Sequence, residues 1–396
     1  MQETLSHYFG YKSFRPGQEE IITKILNHQH TLGVLPTGGG KSICYQVPGL
    51  MQGGTTIVIS PLISLMKDQV DQLQAMGIQA TYLNSSLTHK QQKEIEEQIK
   101  RGAIQFLYVA PERFENTFFL NLLRKIEIPL IAFDEAHCIS KWGHDFRPSY
   151  QSVIQKVFTL PQNFTIVALT ATATAEVQQD IMSKLSIGQN DVVKTSTKRR
   201  NLIFKVNPTY QRQKFVVDYV ANHEGQAGII YCSTRKQVEE LHEALNSEKI
   251  KSTIYHAGLT NKERIEAQND FLYDRVEVVI ATNAFGMGID KSNVRYVIHY
   301  NMPGDLESYY QEAGRAGRDG LKSECILLFS ERDKGLHEYF ITVSQADDDY
   351  KDKMGEKLTK MIQYTKTKKC LEATIVHYFE PNENLEEDRK STRLNS

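Results

Sequence analysis

In 396 residues the sequence has a single tryptophan and only five cysteines, and neither sign of charge prevails, with 47 basic against 48 acidic side chains. Each shortage excludes something. Cysteines at 44, 138, 232, 325 and 370, scattered and odd in number, do not form a disulfide framework, and they fit a reducing compartment. A balanced charge cannot attract a polyanion through its overall field, so any affinity for nucleic acid must come from a local patch. No segment approaches the roughly 18–20 uninterrupted apolar residues of a membrane-spanning helix. Residues 1–8 have neither the basic nor the apolar region of a secretory signal, so the expected location is the cytoplasm, with no membrane partner.

What is present is a regular alternation. Short β-rich runs at 32–35, 56–60, 105–110, 130–133 and 165–169, then at 228–232, 253–256, 276–281, 296–300 and 325–329, alternate with stretches of helical period. That is the pattern of parallel sheets covered by helices on both faces. The expectation is an α/β fold in two halves of about five strands each. A charged stretch and a proline at 197–208 mark the break, giving expected domains at 1–205 and 206–340. Residues 341–380 read as a short helical appendage, and 381–396 as a tail that is disordered or foreign to the natural gene product.

Leu35-Pro36-Thr37-Gly38-Gly39-Gly40-Lys41-Ser42 follows an apolar strand and precedes a helical pattern, the context a phosphate loop requires. Thr37, Gly38, Gly39 and Gly40 let backbone N–H groups close on phosphate oxygens, Lys41 supplies charge, and the Ser42 hydroxyl can ligate magnesium. Asp134-Glu135-Ala136-His137 ends the run 130–133, which places both acids at the carboxyl end of a buried strand. Asp134 is the expected magnesium ligand and Glu135 the expected base for the attacking water. Hydrolysis also needs positive charge on the departing γ-phosphate. Arg315 and Arg318, three apart in the segment 311–320 and therefore expected on one helix face, supply it.

Together with Phe9-Gly10-Tyr11-Lys12-Ser13-Phe14-Arg15-Pro16-Gly17-Gln18, the segments 60–69, 169–174 and 281–290 complete an ordered set that resembles the superfamily 2 helicases, and within them the RecQ family. The likeness spans about residues 5 to 380. It implies two RecA-like P-loop domains and an ATP- and magnesium-dependent DNA helicase that moves 3′ to 5′ on single-stranded DNA in repair or recombination. The implied partners are single-stranded and partly duplex DNA, and the implied setting is a monomer at the bacterial nucleoid. By the same resemblance Tyr11 stacks on adenine, Arg15 assists, and Gln18 reads the adenine edge, as a glutamine amide can. Thr170 and Thr172 relay nucleotide state, and Gln311 joins the two arginines.

Residues 137–148 look like the aromatic-rich loop peculiar to RecQ enzymes. Trp142 and Phe146 can stack on unpaired bases and Arg147 can hold a phosphate or base plane, so DNA contact could be felt at Glu135. Gly143, its polar neighbours and Pro148 point to a mobile loop. Ser60, Arg113, His256 and Asn283 lie in motif regions where relatives touch the strand or couple to it. Two other readings stay open: an RNA helicase, which differs in its handling of the 2′-hydroxyl, and a nucleotide-gated binding protein that does not hydrolyse ATP.

RecQ enzymes usually continue into a four-cysteine zinc module. Cys370 matches the first of those cysteines and the other three are absent, and one thiolate cannot close a tetrahedral site. The expectation is therefore no properly formed zinc site, poorly docked helices at 331–380, and a chain cut short.

Overall fold

A computed structural model describes residues 1–84, 87–286 and 291–381. Residues 287–290 of the 281–290 motif, and the tail from 382 onward, lie outside the described residues. The chain divides into two compact units, Met1–Ser196 and Thr197–Ser396.

The first unit is built on β1 (Thr31–Val34), β2 (Thr56–Ile59), β3 (Ala80–Leu83), β4 (Phe106–Val109), β5 (Leu130–Phe133), β6 (Thr165–Thr170) and β7 (Val192–Lys194). They form one sheet in the order β3-β4-β2-β5-β6-β1-β7, and every pair is parallel. Side chains alternate between faces with a period of two, so each strand feeds two cores. Ile57, Ile59, Ile131 and Phe133 point to one core, while Val58, Leu130 and Ala132 point to the other. Burial on both sides explains why Thr56–Ile59 and Leu130–Phe133 read as unbroken apolar runs. The pattern reading missed β3 and β7. Both are short edge strands with half-exposed residues, which weakens the apolar signal.

The second unit contains β8 (Leu202–Pro208), β9 (Ala227–Tyr231), β10 (Ser252–Tyr255), β11 (Val278–Ala281), β12 (Val294–His299) and β13 (Ser323–Phe329), in the parallel order β10-β11-β9-β12-β13-β8. The expected boundary at 205 is corrected to 196/197. The stretch taken as a linker contains β8, which pairs along its whole length with β13, from Leu202 opposite Ser323 to Pro208 opposite Phe329. Arg199 and Asn201 secure its start by donating to the carbonyls of Ala316 and Gly317. Pro208 is tolerated because it ends an edge strand, where a missing N–H costs least.

The appendage is also corrected. Three helices, Glu331–Val343, Asp348–Lys366 and Leu371–Phe379, follow β13, and the last two bury Leu358, Met361, Tyr364, Ile375 and Phe379 against Met302, Leu306, Tyr309 and Tyr310. Each such side chain is worth about 1.5–3 kcal/mol relative to exposure. Polar anchors fix the register: Lys357 pairs with Glu307 at 2.9 Å inside this interface, and the Thr197 N–H donates to Glu380 at 2.7 Å. These helices are integral to the second unit.

Candidate nucleotide site and nucleic-acid interface

The strand order places the ends of β5, β6 and β1 side by side. Neighbouring strands lie about 4.8 Å apart, so the segments leaving these three strands meet within about 10 Å. The segment after β1 is the candidate phosphate loop, residues 35–42. Gly38 and Gly40 take φ of 79° and 73°, the left-handed region open to glycine. A Cβ on Gly39 would lie 2.8 Å from the Pro36 carbonyl oxygen, so all three glycines are required by the turn.

Residues 11–18 buttress this loop. The buried Gln18 amide donates to the carbonyls of Gly39 at 3.2 Å and Gly40 at 2.9 Å, accepts from the Arg15 N–H at 2.8 Å, and so has both ends engaged. The Arg15 guanidinium donates to the Gly38 carbonyl. For Gln18 to read an adenine edge, these contacts must be exchanged for the base. Tyr11 is 52% exposed, whereas Phe14 packs against Leu5, Ile22, Ile43 and Val47. A stacking role is therefore open to the first aromatic and closed to the second.

Asp134 leaves β5 with its N–H bound to the Ile59 carbonyl at 2.9 Å and its own carbonyl accepting from the Tyr150 hydroxyl at 3.1 Å. Burial, followed by the adjacent Glu135 carboxylate, pushes the Asp134 acid up to about 7 against the opposing pull of Lys41. Glu135 sits at φ 47°, ψ 49°, a left-handed conformation that costs a non-glycine residue about 1–3 kcal/mol, and its N–H donates to Asp134 Oδ1 at 3.0 Å. His137 Nδ1 lies 3.4 Å from Glu135 Oε2 and 3.1 Å from Thr170 Oγ1, at the end of β6. Thr170 in turn accepts from the Thr172 N–H at 3.3 Å. Sequence reasoning gave His137 and Tyr150 no role, because their contacts depend on which strands are neighbours.

Residues 137–148 form a chain of tight turns. Ser140 N–H donates to the His137 carbonyl at 3.2 Å, Gly143 N–H to Ser140 at 3.0 Å, and Arg147 N–H to Cys138 at 3.1 Å. Gly143, expected to give mobility, instead permits close packing, since a Cβ there would clash with the His137 carbonyl oxygen. Trp142 is half-buried against the first core beneath the Lys141 ammonium, and Phe146 is half-buried. Arg147 donates to Asp145 Oδ2 from Nε at 3.2 Å and Nη2 at 2.9 Å, and from Nη1 to the Pro61 carbonyl at 3.1 Å. The loop is thereby tied to the segment after β2.

In the second unit the expectation of two arginines on one helix face fails. The helix Leu306–Ala313 stops at Gly314, and Gly317 turns left-handed at φ 57°, so Arg315 and Arg318 sit in the turn beyond it. Gln311 is buried in the helix, Arg315 is 5% exposed beside Gly286, and Arg318 is half-buried. The remaining candidates differ in availability. Asn283 is exposed, Ser60 is buried after β2, and Arg113 is held by Glu96 at 3.0 Å and Gln92 at 3.1 Å. His256 is buried, accepts from the Gly258 N–H at Nδ1, and presents Nε2 to Glu239 at 3.6 Å.

Magnesium fits the first unit's residues. A buried Asp134 carboxyl raised to about 7 is one whose ionised form a divalent cation relieves, and Ser42 stands at the start of the helix Ile43–Gln52. Zinc does not fit residues 331–381. Their one cysteine, Cys370, caps the helix Leu371–Phe379 by accepting from the Ala373 N–H at 3.5 Å, and the other four cysteines are buried elsewhere.

Comparison with known proteins gives three consecutive family matches: DEAD/DEAH box helicase over residues 15–181, helicase conserved C-terminal domain over 211–320, and RecQ zinc-binding over 331–390. The chain is 48% identical over 379 residues to the ATP-dependent DNA helicase RecQ of Bacillus subtilis (strain 168), covering 96% of this chain and 64% of that protein. It is 43% identical over 353 residues to the probable ATP-dependent DNA helicase RecS of the same organism, covering 87% and 70% respectively. The first-matched RecQ proteins are longer, and the chain spans 64%, 60% and 59% of their lengths. Among solved structures, S. cerevisiae Dbp5 bound to RNA and ADP BeF3 matches with a TM-score of 0.68 at 19% identity, over 90% of this chain and 97% of that one, a likeness of fold. Among the described residues no helix is long and apolar enough to cross a membrane.

Proposed function

The chain belongs to the RecQ family of helicases, and from that premise we propose that it is an ATP-dependent DNA helicase and translocase, moving 3′ to 5′ on single-stranded DNA. Its setting in this reading is the cytoplasm, as a monomer serving repair or recombination. The phosphate loop seats the triphosphate, with Tyr11, Arg15 and Gln18 at the adenine and Thr37 beside the glycines. Ser42 and Asp134 hold magnesium, which when bound neutralises phosphate charge. Glu135 takes the proton of the attacking water, and Lys41 stabilises charge on the γ-phosphate as the bond to the β-phosphate breaks; Gln311, Arg315 and Arg318 are the second unit's candidates for a charge-stabilising role.

One observation carries the reading. Glu135 is linked through His137 to Thr170, and the same turn that holds His137 opens the loop bearing Trp142, Phe146 and Arg147. A strand stacked on that loop therefore bears on the hydrolytic acid through few covalent and hydrogen bonds. Asn283 is the most accessible contact proposed in the second unit, while Ser60, Arg113 and His256 must first exchange their internal surroundings. The names of the Bacillus subtilis RecQ and RecS proteins support DNA as the track, whereas a mimivirus relative at 38% identity is named a putative RNA helicase, so the RNA arm of the test carries weight.

The test is ATP-dependent displacement of streptavidin from biotinylated strands. Release from the 5′ end of DNA, and not from the 3′ end, is expected of a 3′ to 5′ motor. Release from neither end, or release from RNA alone, would overturn the proposal.

A further inference from the structure

We propose that His137, Cys138 and Asp145 form a binding site for one borderline-soft divalent cation, of the zinc or cobalt class, separate from the magnesium position at Ser42 and Asp134. One ring nitrogen of His137, the Cys138 sulfur and one Asp145 carboxylate oxygen all lie within 4.8 Å of one another. Ligands of a tetrahedral zinc ion stand about 3.4–3.6 Å apart, given bond lengths of about 2.0–2.3 Å. Cys138 Sγ and Asp145 Oδ2 are already at 3.8 Å, and no pair in the set needs to close by more than about 1.4 Å.

Imidazole, thiolate and carboxylate together favour zinc or cobalt over magnesium, which prefers oxygen, and three protein ligands leave a fourth position for water. The backbone holds the ligands ready. Cys138 N–H donates to the Glu135 carbonyl at 2.9 Å, and Arg147 N–H donates to the Cys138 carbonyl at 3.1 Å, which brings the two ends of the loop together. As the sulfur–metal bond forms, the Cys138 proton leaves to solvent.

Occupancy has a consequence for the loop. Arg147 places both Nε and Nη2 on the same Asp145 oxygen that lies nearest the sulfur, so a cation there competes with the guanidinium. The ion also fixes His137, which touches Glu135 and Thr170. Resting on the reading of this loop as the DNA sensor, an occupied site lowers DNA stimulation of ATP turnover.

The test is a cobalt(II) titration of the whole chain in excess magnesium, followed by the thiolate-to-cobalt charge-transfer band and the tetrahedral d–d bands. Wild type and Cys370→Ser should show both bands, Cys138→Ser should lose the charge-transfer band, and Asp145→Asn should bind at least about tenfold more weakly. No charge-transfer band in the wild type, or one that disappears with Cys370→Ser, overturns the site. Should Cys138→Ser fail to fold by circular dichroism, Asp145→Asn decides, and unchanged cobalt affinity in that variant overturns the site. Zinc added to DNA-stimulated turnover should suppress the stimulation in wild type and leave it in Asp145→Asn; equal suppression in both overturns the regulatory step. A cobalt band in a protein whose turnover ignores DNA would count against the proposed function alone.

Discussion

Asp134 is buried beside a second carboxylate, and its acid is pushed up to about 7 from an ordinary value of 3.8. Between those two values the folded protein holds a proton that the unfolded chain has released, so stability falls as pH rises through this window and the loss is complete above about 7. Asp134→Asn removes the charge that causes the loss. In EDTA the variant should be more stable than wild type at pH 8 by about 1–3 kcal/mol, or about 2–4 °C in Tm per kcal/mol, with the difference shrinking toward pH 4. Thermal unfolding at the two pH values checks this, and an equal shift at both would show that the charge is not the cause. The position of residues 35–42 and of the acids 134 and 135 at strand ends was legible, because both segments directly follow apolar runs. The link from Glu135 through His137 to Thr170 was not legible, since it depends on β5 and β6 being neighbours.

Elements bring single residues to their work, and the 137–148 loop is the clearest case. Its aromatic and basic residues stood out in the sequence, but its compactness did not, because Gly143 can mean freedom or close approach and only the position of the His137 carbonyl decides. The arginine turn failed for a related reason. A spacing of three was read as a helix face, yet Gly314 and Gly317 end the helix before Arg315. Trp142→Ala tests the loop as a DNA sensor. Loss of one stacked base, at about 1–3 kcal/mol, should weaken the DNA dependence of ATP turnover at least about fivefold, while turnover without DNA stays within about twofold. Steady-state turnover across a DNA titration measures both, and an unaltered DNA dependence would remove Trp142 from the interface.

For the whole molecule, the alternation of strands and helices predicted two parallel α/β halves, and the two sheets have that form. The boundary was misplaced because β8 is an edge strand whose charged flanks resemble a linker. The absence of a zinc set says nothing of how firmly the appended helices dock: their apolar faces and the buried Lys357–Glu307 pair fasten them to the second unit. Lys357→Ala leaves Glu307 buried without this partner and should destabilise the second unit by about 3–5 kcal/mol, measured by chemical denaturation. A change under about 1 kcal/mol would mean that the pair does not fasten the helices.

If the proposed function holds, the cluster at the ends of β1, β5 and β6 hydrolyses ATP in response to a DNA strand. Steady-state ATP turnover with and without single-stranded DNA, run in parallel on wild type and Glu135→Gln, decides this. The expected result is DNA-stimulated turnover in wild type, and at least about a hundredfold loss in the variant with ATP binding retained. Wild-type turnover indifferent to DNA, or near-normal hydrolysis without the Glu135 carboxylate, would contradict it.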